Sequence, residues 1–176
     1  MRVIVTDRLT LEPQAASHAE EMFAVLGDPA IYEFENEPPP SVEWLRERFA
    51  KLETRRSPDG RERWLNWVVR DSPARIIGYV QATVREDGHA GIAYELASAH
   101  WGRGYAGEAV EAMIAELASR YQVREISAVL KRANFRSKRL LDRLGFSIAS
   151  PGRHAIESVP ADELLMLRPA VGDSAR

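Results

Sequence analysis

The 176-residue chain contains no cysteine. That absence excludes disulfides, thiolate metal sites and any acyl intermediate carried on a cysteine. Its four histidines, His18, His89, His100 and His154, are scattered and lack the spacing of a metal-binding helix, so no metal is expected. Long apolar runs are missing too. None approaches the roughly 20 residues that cross a bilayer, and Met1-Arg-Val-Ile-Val-Thr-Asp7 has too short an apolar part for a signal peptide. A cytoplasmic protein with no membrane partner is the expectation. Lysine is scarce, only three of 24 basic residues, a bias that fits GC-rich codon usage and a bacterial source.

What is present suits a globular fold. Hydrophobic content of 45% with 28% charged residues is ordinary for one folded domain. That domain is expected over residues 1–170, with a disordered tail at 171–176. The net charge of −2 is unevenly spread, because residues 1–60 carry 12 acidic and 7 basic side chains. Such asymmetry suits a cationic substrate on one side and an anionic cofactor on the other; it suits a plain solvated surface equally well.

Periodicity gives an α+β pattern. Arg8–Glu12 alternates and predicts a first strand ending at Pro13. Residues 15–26 read as a helix with Ala19, Met22, Phe23 and Leu26 on one face, stopped by Gly27 and Pro29. Ser41 is an N-cap for a helix carrying Val42, Leu45, Phe49 and Leu52 at core spacing. Three strands follow, Trp64–Arg70, Arg75–Val84 and His89–Leu96, with Asp87-Gly88 as a hairpin turn. A helix is predicted over Ala106–Tyr121, then a β-branched strand over Arg124–Lys131. Asn134 caps a helix through Leu144 that Gly145 stops. Phe146–Ala149 and Glu163–Arg168 read as final strands joined by a loop rich in Pro, Gly and Ser. Strands mixed with helices in this order imply a mixed sheet with helices packed on its faces.

The run His100-Trp-Gly-Arg-Gly-Tyr-Ala-Gly-Glu-Ala109 lies between a predicted strand and a predicted helix. A glycine-rich turn opening a helix is an anion site, because its N–H groups point outward and the helix dipole favours phosphate. Gly102, Gly104 and Gly107 fit the dinucleotide spacing G-x-G-x-x-G. Against that reading, five residues separate the strand from the first glycine, and the next strand ends in Lys131-Arg132 instead of an acid. A P-loop fails outright, since Glu108 and Ala109 replace its Lys and Ser/Thr.

A second motif follows about 30 residues later: Asn134-Phe-Arg-Ser-Lys-Arg-Leu-Leu-Asp-Arg-Leu-Gly-Phe146. Together with the glycine turn, Thr6-Asp-Arg-Leu-Thr-Leu11 and Ile76-Ile-Gly-Tyr-Val80, it resembles the GNAT superfamily of acetyl-CoA-dependent N-acetyltransferases, in its RimJ/RimL-type branch. The resemblance runs from Thr6 to Arg168. It implies the three-layer GNAT fold: a mixed, mostly antiparallel central sheet of about six to seven strands with helices on both faces. It implies acetyl-CoA as co-substrate, its pyrophosphate cradled by the backbone of Gly102, Arg103, Gly104, Tyr105, Ala106 and Gly107, with Trp101 at the position usually held by Gln or Arg. The Arg103 side chain is either a phosphate partner or an ordinary exposed loop arginine. Leu96, Ala97, Asn134, Ser137 and Lys138 complete the implied cofactor set. In this fold the strand His89–Leu96 splays from Arg124–Lys131, leaving a notch for the pantetheine arm. A backbone donor near Glu95–Ala97 would polarise the thioester carbonyl, an effect worth about 3 kcal/mol.

Glu95 is the candidate general base, or a carboxylate that recruits a cationic substrate. Where many members carry a glutamate earlier on this strand, the chain has Ala90. Ser137 is implied as the group that protonates the departing thiolate or, a serine hydroxyl being a weak acid, only hydrogen-bonds the sulfur; the tyrosine that many members carry on this helix is missing. Glu33, Glu35 and Glu37, with Tyr94, are candidates for the acceptor side. The cluster Lys131, Arg132, Arg136, Lys138 and Arg139 suggests the adenosine 3′-phosphate and a solvated helix face; the net negative charge argues against nucleic acid. The expected activity is acetyl transfer to a primary amine in one direct step: a protein N-terminus, an amino-acid or polyamine-like amine, or an aminoglycoside. The alternatives are a GNAT-fold binding protein without turnover and a nicotinamide-dependent oxidoreductase. Monomer and homodimer are both open.

Overall fold

A computed structural model describes residues 1–34 and 36–170. Glu35 and the expected tail at 171–176 therefore lie outside the described residues. Eight strands form one sheet: β1 (Ile4–Val5), β2 (Thr10–Pro13), β3 (Glu62–Ser72), β4 (Arg75–Arg85), β5 (His89–Leu96), β6 (Glu125–Lys131), β7 (Ser147–Ile148) and β8 (Glu163–Pro169). The helices are α1 (Ala19–Val25), α2 (Val42–Leu52), α3 (Tyr105–Tyr121), α4 (Phe135–Arg143) and α5 (Pro151–Ile156). The strand order is β1-β2-β3-β4-β5-β6-β8-β7. Every neighbouring pair is antiparallel except β5 and β6.

The seven strands expected from periodicity all form. The eighth, β1, is two residues long, too short to leave an alternating pattern. One element differs in kind. The segment read as a Pro-, Gly- and Ser-rich loop contains α5, capped by the Ser150 hydroxyl, which accepts from the Arg153 N–H, with Pro151 in its first turn. Serine followed by proline is itself a helix-start signal, and the flanking loop composition hid it.

Two apolar clusters sandwich the sheet. Ala19 and Met22 of α1 and Leu45 and Phe49 of α2 pack with Val68, Ile76 and Tyr79 on one face. On the other, Ala109, Val110, Met113, Ile114 and Leu117 of α3 and Leu141 of α4 pack with Leu65, Trp67, Val80, Ile92 and Leu96. The α3 positions repeat at three and four residues, which places them on a single stripe. Because side chains alternate along a strand, successive residues of β5 serve opposite clusters. Leu96 and Ile92 face α3, whereas Glu95 stands opposite Tyr79 in the ladder and shares its face.

β5 and β6 pair only at His89–Glu125, Ala90–Ile126 and Gly91–Ser127. Beyond that point β5 stays zipped to β4 as far as Leu96, and β6 to β8 as far as Lys131. The sheet therefore opens into a notch between Ile92–Leu96 and Ala128–Lys131. At the far side of β5, Gly78 is obligatory: a Cβ there would overlap the Glu95 carbonyl oxygen. No helix among the described residues is long and apolar enough to cross a membrane.

Candidate active site

The notch continues into a cleft of 640 Å³ that runs past the N-termini of α3 and α4. Its wall includes Tyr94, Glu95 and Leu96 of β5, Trp101 to Gly107 apart from Arg103, and Asn134 and Ser137. Nine of the expected cofactor residues therefore converge on one space from three separate stretches of chain.

The glycine turn has the geometry of an anion cradle. A short helical turn over Ser98–His100 leads from β5 to Trp101, and Gly104 forms the N-cap of α3 with φ of 80°. No side chain caps this helix, so its first N–H groups remain available to a ligand. A Cβ built on Gly102 or Gly107 would meet nothing within 4 Å, which leaves open space where side chains would otherwise intrude. These residues fit a phosphate group.

Two arginines shape this site, Arg8 from the Thr6–Leu11 motif and Arg136 from the basic cluster. Glu108, in the first turn of α3, would repel an anion if left unpaired. It is held instead by Arg8, whose Nε donates to Oε2 at 2.7 Å and whose backbone N–H donates to Oε1 at 3.0 Å. The Thr6 hydroxyl donates to the same Oε1 at 2.6 Å. Burial pushes the Glu108 carboxyl up, but these hydrogen bonds and the Arg8 charge prevail and hold it below the usual carboxylate range. Arg8 also donates from Nη1 to the Arg103 carbonyl at 2.8 Å and lies 4.7 Å from the Tyr105 ring centre. The second arginine, Arg136, stacks on Trp101 with its guanidinium carbon 3.3 Å from the ring centre. The Trp101 indole N–H donates to the Leu96 carbonyl at 2.8 Å, which ties the turn to the end of β5. The available signal for Arg8 was the Thr6–Leu11 motif; Arg136 was legible only as part of a basic cluster.

The backbone of β5 has a wet side and a zipped side. The Ala97 N–H donates to Ile77 O at 2.9 Å, and hydrogen-bonded positions alternate along an antiparallel pair. Residues 91, 93, 95 and 97 therefore bond to β4, and the Ile92 N–H completes the Gly91–Ser127 pairing with β6, so the Ile92 carbonyl, the Tyr94 peptide groups and the Leu96 N–H face the notch. Ala97 is set back from the cleft, with its carbonyl accepting from His100 N–H. The backbone donors on that side are the N–H groups of Tyr94 and Leu96, the second within the Glu95–Ala97 stretch expected from sequence.

On the opposite wall, the Asn134 side chain accepts from the Ser137 N–H at 3.0 Å, capping α4. The Ser137 hydroxyl oxygen lies 2.7 Å from the Tyr94 hydroxyl. Burial, with a contribution from the nearby Glu95 charge and against the Ser137 hydrogen bond, pushes the Tyr94 phenol up to about 12. Tyr94, a candidate for the acceptor side, therefore stands on the α3 face of β5 beside Ser137, the face opposite Glu95.

Glu95, on the other face, borders both this cleft and a second cavity of 280 Å³. The two spaces share Ile31, Asn36, Tyr79 and Glu95. Tyr32, Glu37, Trp44, Arg48, Asn66 and Gln81 line the second one. Burial and the charges of Glu95 and Asp28 push the Tyr32 hydroxyl up. Ala90 is fully buried where β5 and β6 are still paired, so a carboxylate at that position would not reach the cleft.

Three other expected residues sit differently. Lys138 Nζ donates to Asp142 at 2.8 Å on the outer side of α4. Arg103 contributes its carbonyl to Arg8, as described. Glu33 lies 4.0 Å from Arg136, which places it at the rim above Trp101. Lys131 is engaged by Asp162 and Glu163 and Arg132 donates to the Ala161 carbonyl, whereas Arg136 and Arg139 of the basic cluster line the cleft. Among the described residues no group of three or more His, Asp or Glu could hold a metal ion.

Known proteins resemble this chain in sequence or in fold. The chain is 28% identical over 149 residues to the uncharacterized N-acetyltransferase p20 of Bacillus licheniformis, a match covering 83% of each chain. The ribosomal-protein-S5-alanine acetyltransferase of Vibrio fischeri has the same fold, with a TM-score of 0.79 at 17% identity over 99% of both chains. So does RimL, the ribosomal L7/L12 alpha-N-protein acetyltransferase, solved with coenzyme A, with a TM-score of 0.79 at 15% identity over 95% of this chain and 97% of that one. The family description "Acetyltransferase (GNAT) domain" matches residues 8–147, which take in the glycine turn, the notch and the α4 cap. With an uncapped helix opening onto a splayed parallel pair inside that match, the chain belongs to the GNAT acetyltransferase family.

Proposed function

We propose that the protein transfers acetyl from acetyl-CoA to a primary amine by direct attack within a ternary complex. The observation that carries this reading is the position of Glu95, on the border between the phosphate-cradling cleft and the second cavity. The N–H groups of Gly102 to Gly107 would hold the pyrophosphate, and the Ile92 carbonyl, the Tyr94 peptide groups and the Leu96 N–H the pantetheine arm. An N–H of this strand would donate to the thioester oxygen as negative charge develops there. RimL, solved with coenzyme A, supports the choice of co-substrate.

The acceptor would enter through the second cavity. Glu95 takes a proton from the incoming ammonium, and the freed nitrogen lone pair attacks the acetyl carbon. The new C–N bond forms, the C–S bond breaks, the sulfur leaves as thiolate beside Ser137, and the nitrogen gives its second proton to solvent as the neutral amide forms. No cysteine exists to carry the acetyl group in between. The acceptor we favour is a protein N-terminal amine, because RimL is named for alpha-N acetylation of ribosomal L7/L12 and the Vibrio fischeri enzyme for an alanine of ribosomal protein S5. A cavity of 280 Å³ suits the first residue or two of an extended peptide better than an aminoglycoside.

The test combines acetyl-CoA-dependent thermal stabilisation with thiol release against short peptides, polyamines and aminoglycosides. Stabilisation with turnover on peptides is the expected result. Stabilisation without turnover on any amine would replace catalysis by a binding role; no stabilisation would remove acetyl-CoA altogether. Glu95→Gln is expected to lower kcat about 100-fold or more while leaving the KM for acetyl-CoA near the wild-type value. An unchanged kcat would remove Glu95 as the base.

A further inference from the structure

We infer that Tyr94 is a positioning residue that donates its hydroxyl hydrogen to Ser137 and so aims the Ser137 O–H at the leaving sulfur. The inference rests on the acetyl-transfer reading above and adds to it a residue acting through another. Tyr94 reaches from β5 across the mouth of the notch, its ring packed against the α3-side core, to Ser137 in the first turn of α4. The two oxygens are 2.7 Å apart, a normal O–H···O distance.

The direction of that bond decides what Ser137 can do. A phenol is a much stronger acid than an aliphatic alcohol, so in a phenol–alcohol pair the phenol donates and the alcohol accepts. Ser137 then has one lone pair occupied and its own hydrogen turned away from Tyr94. The Asn134 cap on the Ser137 N–H fixes the backbone beneath it. A hydroxyl that accepts a hydrogen bond also donates a stronger one, because the two bonds polarise each other. The serine O–H is thereby held in one rotamer, facing the cleft that Ser137 lines.

Tyr94 itself is not the proton source. Burial pushes its hydroxyl up to about 12, so it remains protonated throughout the neutral range. A thiol titrates near 8.5; moving a proton from Tyr94, or from a serine hydroxyl, onto a thiolate would run uphill. The step that balances is hydrogen bonding. As the C–S bond breaks, sulfur takes the bonding pair and accepts the Ser137 O–H, while the tyrosine proton stays on its oxygen. The thiolate is protonated afterwards from solvent.

Tyr94→Phe keeps the ring and removes only the donor. The readout independent of turnover is the pH titration of the coenzyme A thiol in the binary complex, followed by the ultraviolet absorbance of the thiolate. We expect the bound thiol to titrate at higher pH in Tyr94→Phe and in Ser137→Ala than in the wild type. We also expect Tyr94→Phe to lower kcat about tenfold, with the KM for acetyl-CoA and the thermal midpoint little changed. The double variant should be no slower than Ser137→Ala. Identical thiol titrations in Tyr94→Phe and wild type would overturn the inference, as would loss of activity in Tyr94→Phe with full activity in Ser137→Ala. Failure of the wild type to bind coenzyme A would instead overturn the acetyl-CoA reading, and is read separately in the same titration.

Discussion

Arg8 and Glu108 stand 100 residues apart in the chain and form a charge-assisted pair at the mouth of the cleft, with Arg8 Nε donating to Glu108 Oε2 at 2.7 Å. The pair fastens the segment entering β2 to the first turn of α3. It also neutralises a carboxylate that would otherwise oppose an anion at that helix end.

Removing the charge at Glu108 should therefore act on two observables. Glu108→Gln is expected to cost about 1–2 kcal/mol of stability in a denaturant titration, and to weaken coenzyme A binding measured by calorimetry because the loop loses its anchor. The pH dependence has a definite sign. The folded-state carboxyl lies below its unfolded value, so its contribution is complete above the ordinary range of about 4.3. It is lost as pH falls through the lowered folded value. The wild type should lose more stability on acidification over that window than Glu108→Gln does.

Gly104 should resist any side chain. Its φ of 80° lies in the left-handed region, and a Cβ there would sit 3.3 Å from Arg8 Nη2. Gly104→Ala is expected to lose about 1–2 kcal/mol from backbone strain and to weaken coenzyme A binding by disturbing Arg8. Gly60→Ala is the control. Gly60 has a φ of 74° with nothing within 4 Å of its Cβ, outside the cleft. It should show the stability loss with unchanged binding. Equal binding in both variants would separate the turn geometry from cofactor recognition.

His89 ties β5 to β6 just before they separate. Its Nε2 lies 2.7 Å from the Ser127 hydroxyl, and its Nδ1 lies 3.1 Å from Glu125, which in turn accepts from Arg153 at 2.7 Å. The order Ser–His–Glu matches a nucleophile relay, but Ser127 is buried between paired strands and outside the cleft wall. We expect His89→Ala to cost about 2–3 kcal/mol by leaving buried polar atoms unpartnered, while kcat at permissive temperature stays at the wild-type level. A large fall in kcat without loss of stability would give this cluster a role beyond structure.

Much of this molecule was legible before its structure, and unevenly so. The helix over Tyr105–Tyr121 and the strand over His89–Leu96 carry strong periodicity and clear stop signals, and both emerged at or within one residue of the expected bounds. Local signals were weaker in the N-terminal and C-terminal segments. β1 is held by two pairings with β2, and α5 is a single capped turn and a half inside loop-like composition. Neither is long enough for periodicity to show.

The cofactor site followed a similar division. Gly102, Gly104 and Gly107 announced an anion site because glycine spacing ahead of a helix acts through local backbone geometry alone. Which side chains would meet across the fold was a different matter. Tyr94 and Glu95 are adjacent in sequence, yet β-strand alternation sends the first to Ser137 and the second toward Tyr79 and the other cavity. Arg8 reaches Glu108, and Arg136 reaches Trp101, across stretches of chain that share no local pattern. Sequence by itself determined the elements, the glycine cradle and the resemblance, because propensity, capping and turn chemistry are short-range. Only the tertiary structure decided which face of β5 each residue serves and which charges are paired, because those depend on strand register and on helices packing from opposite sides.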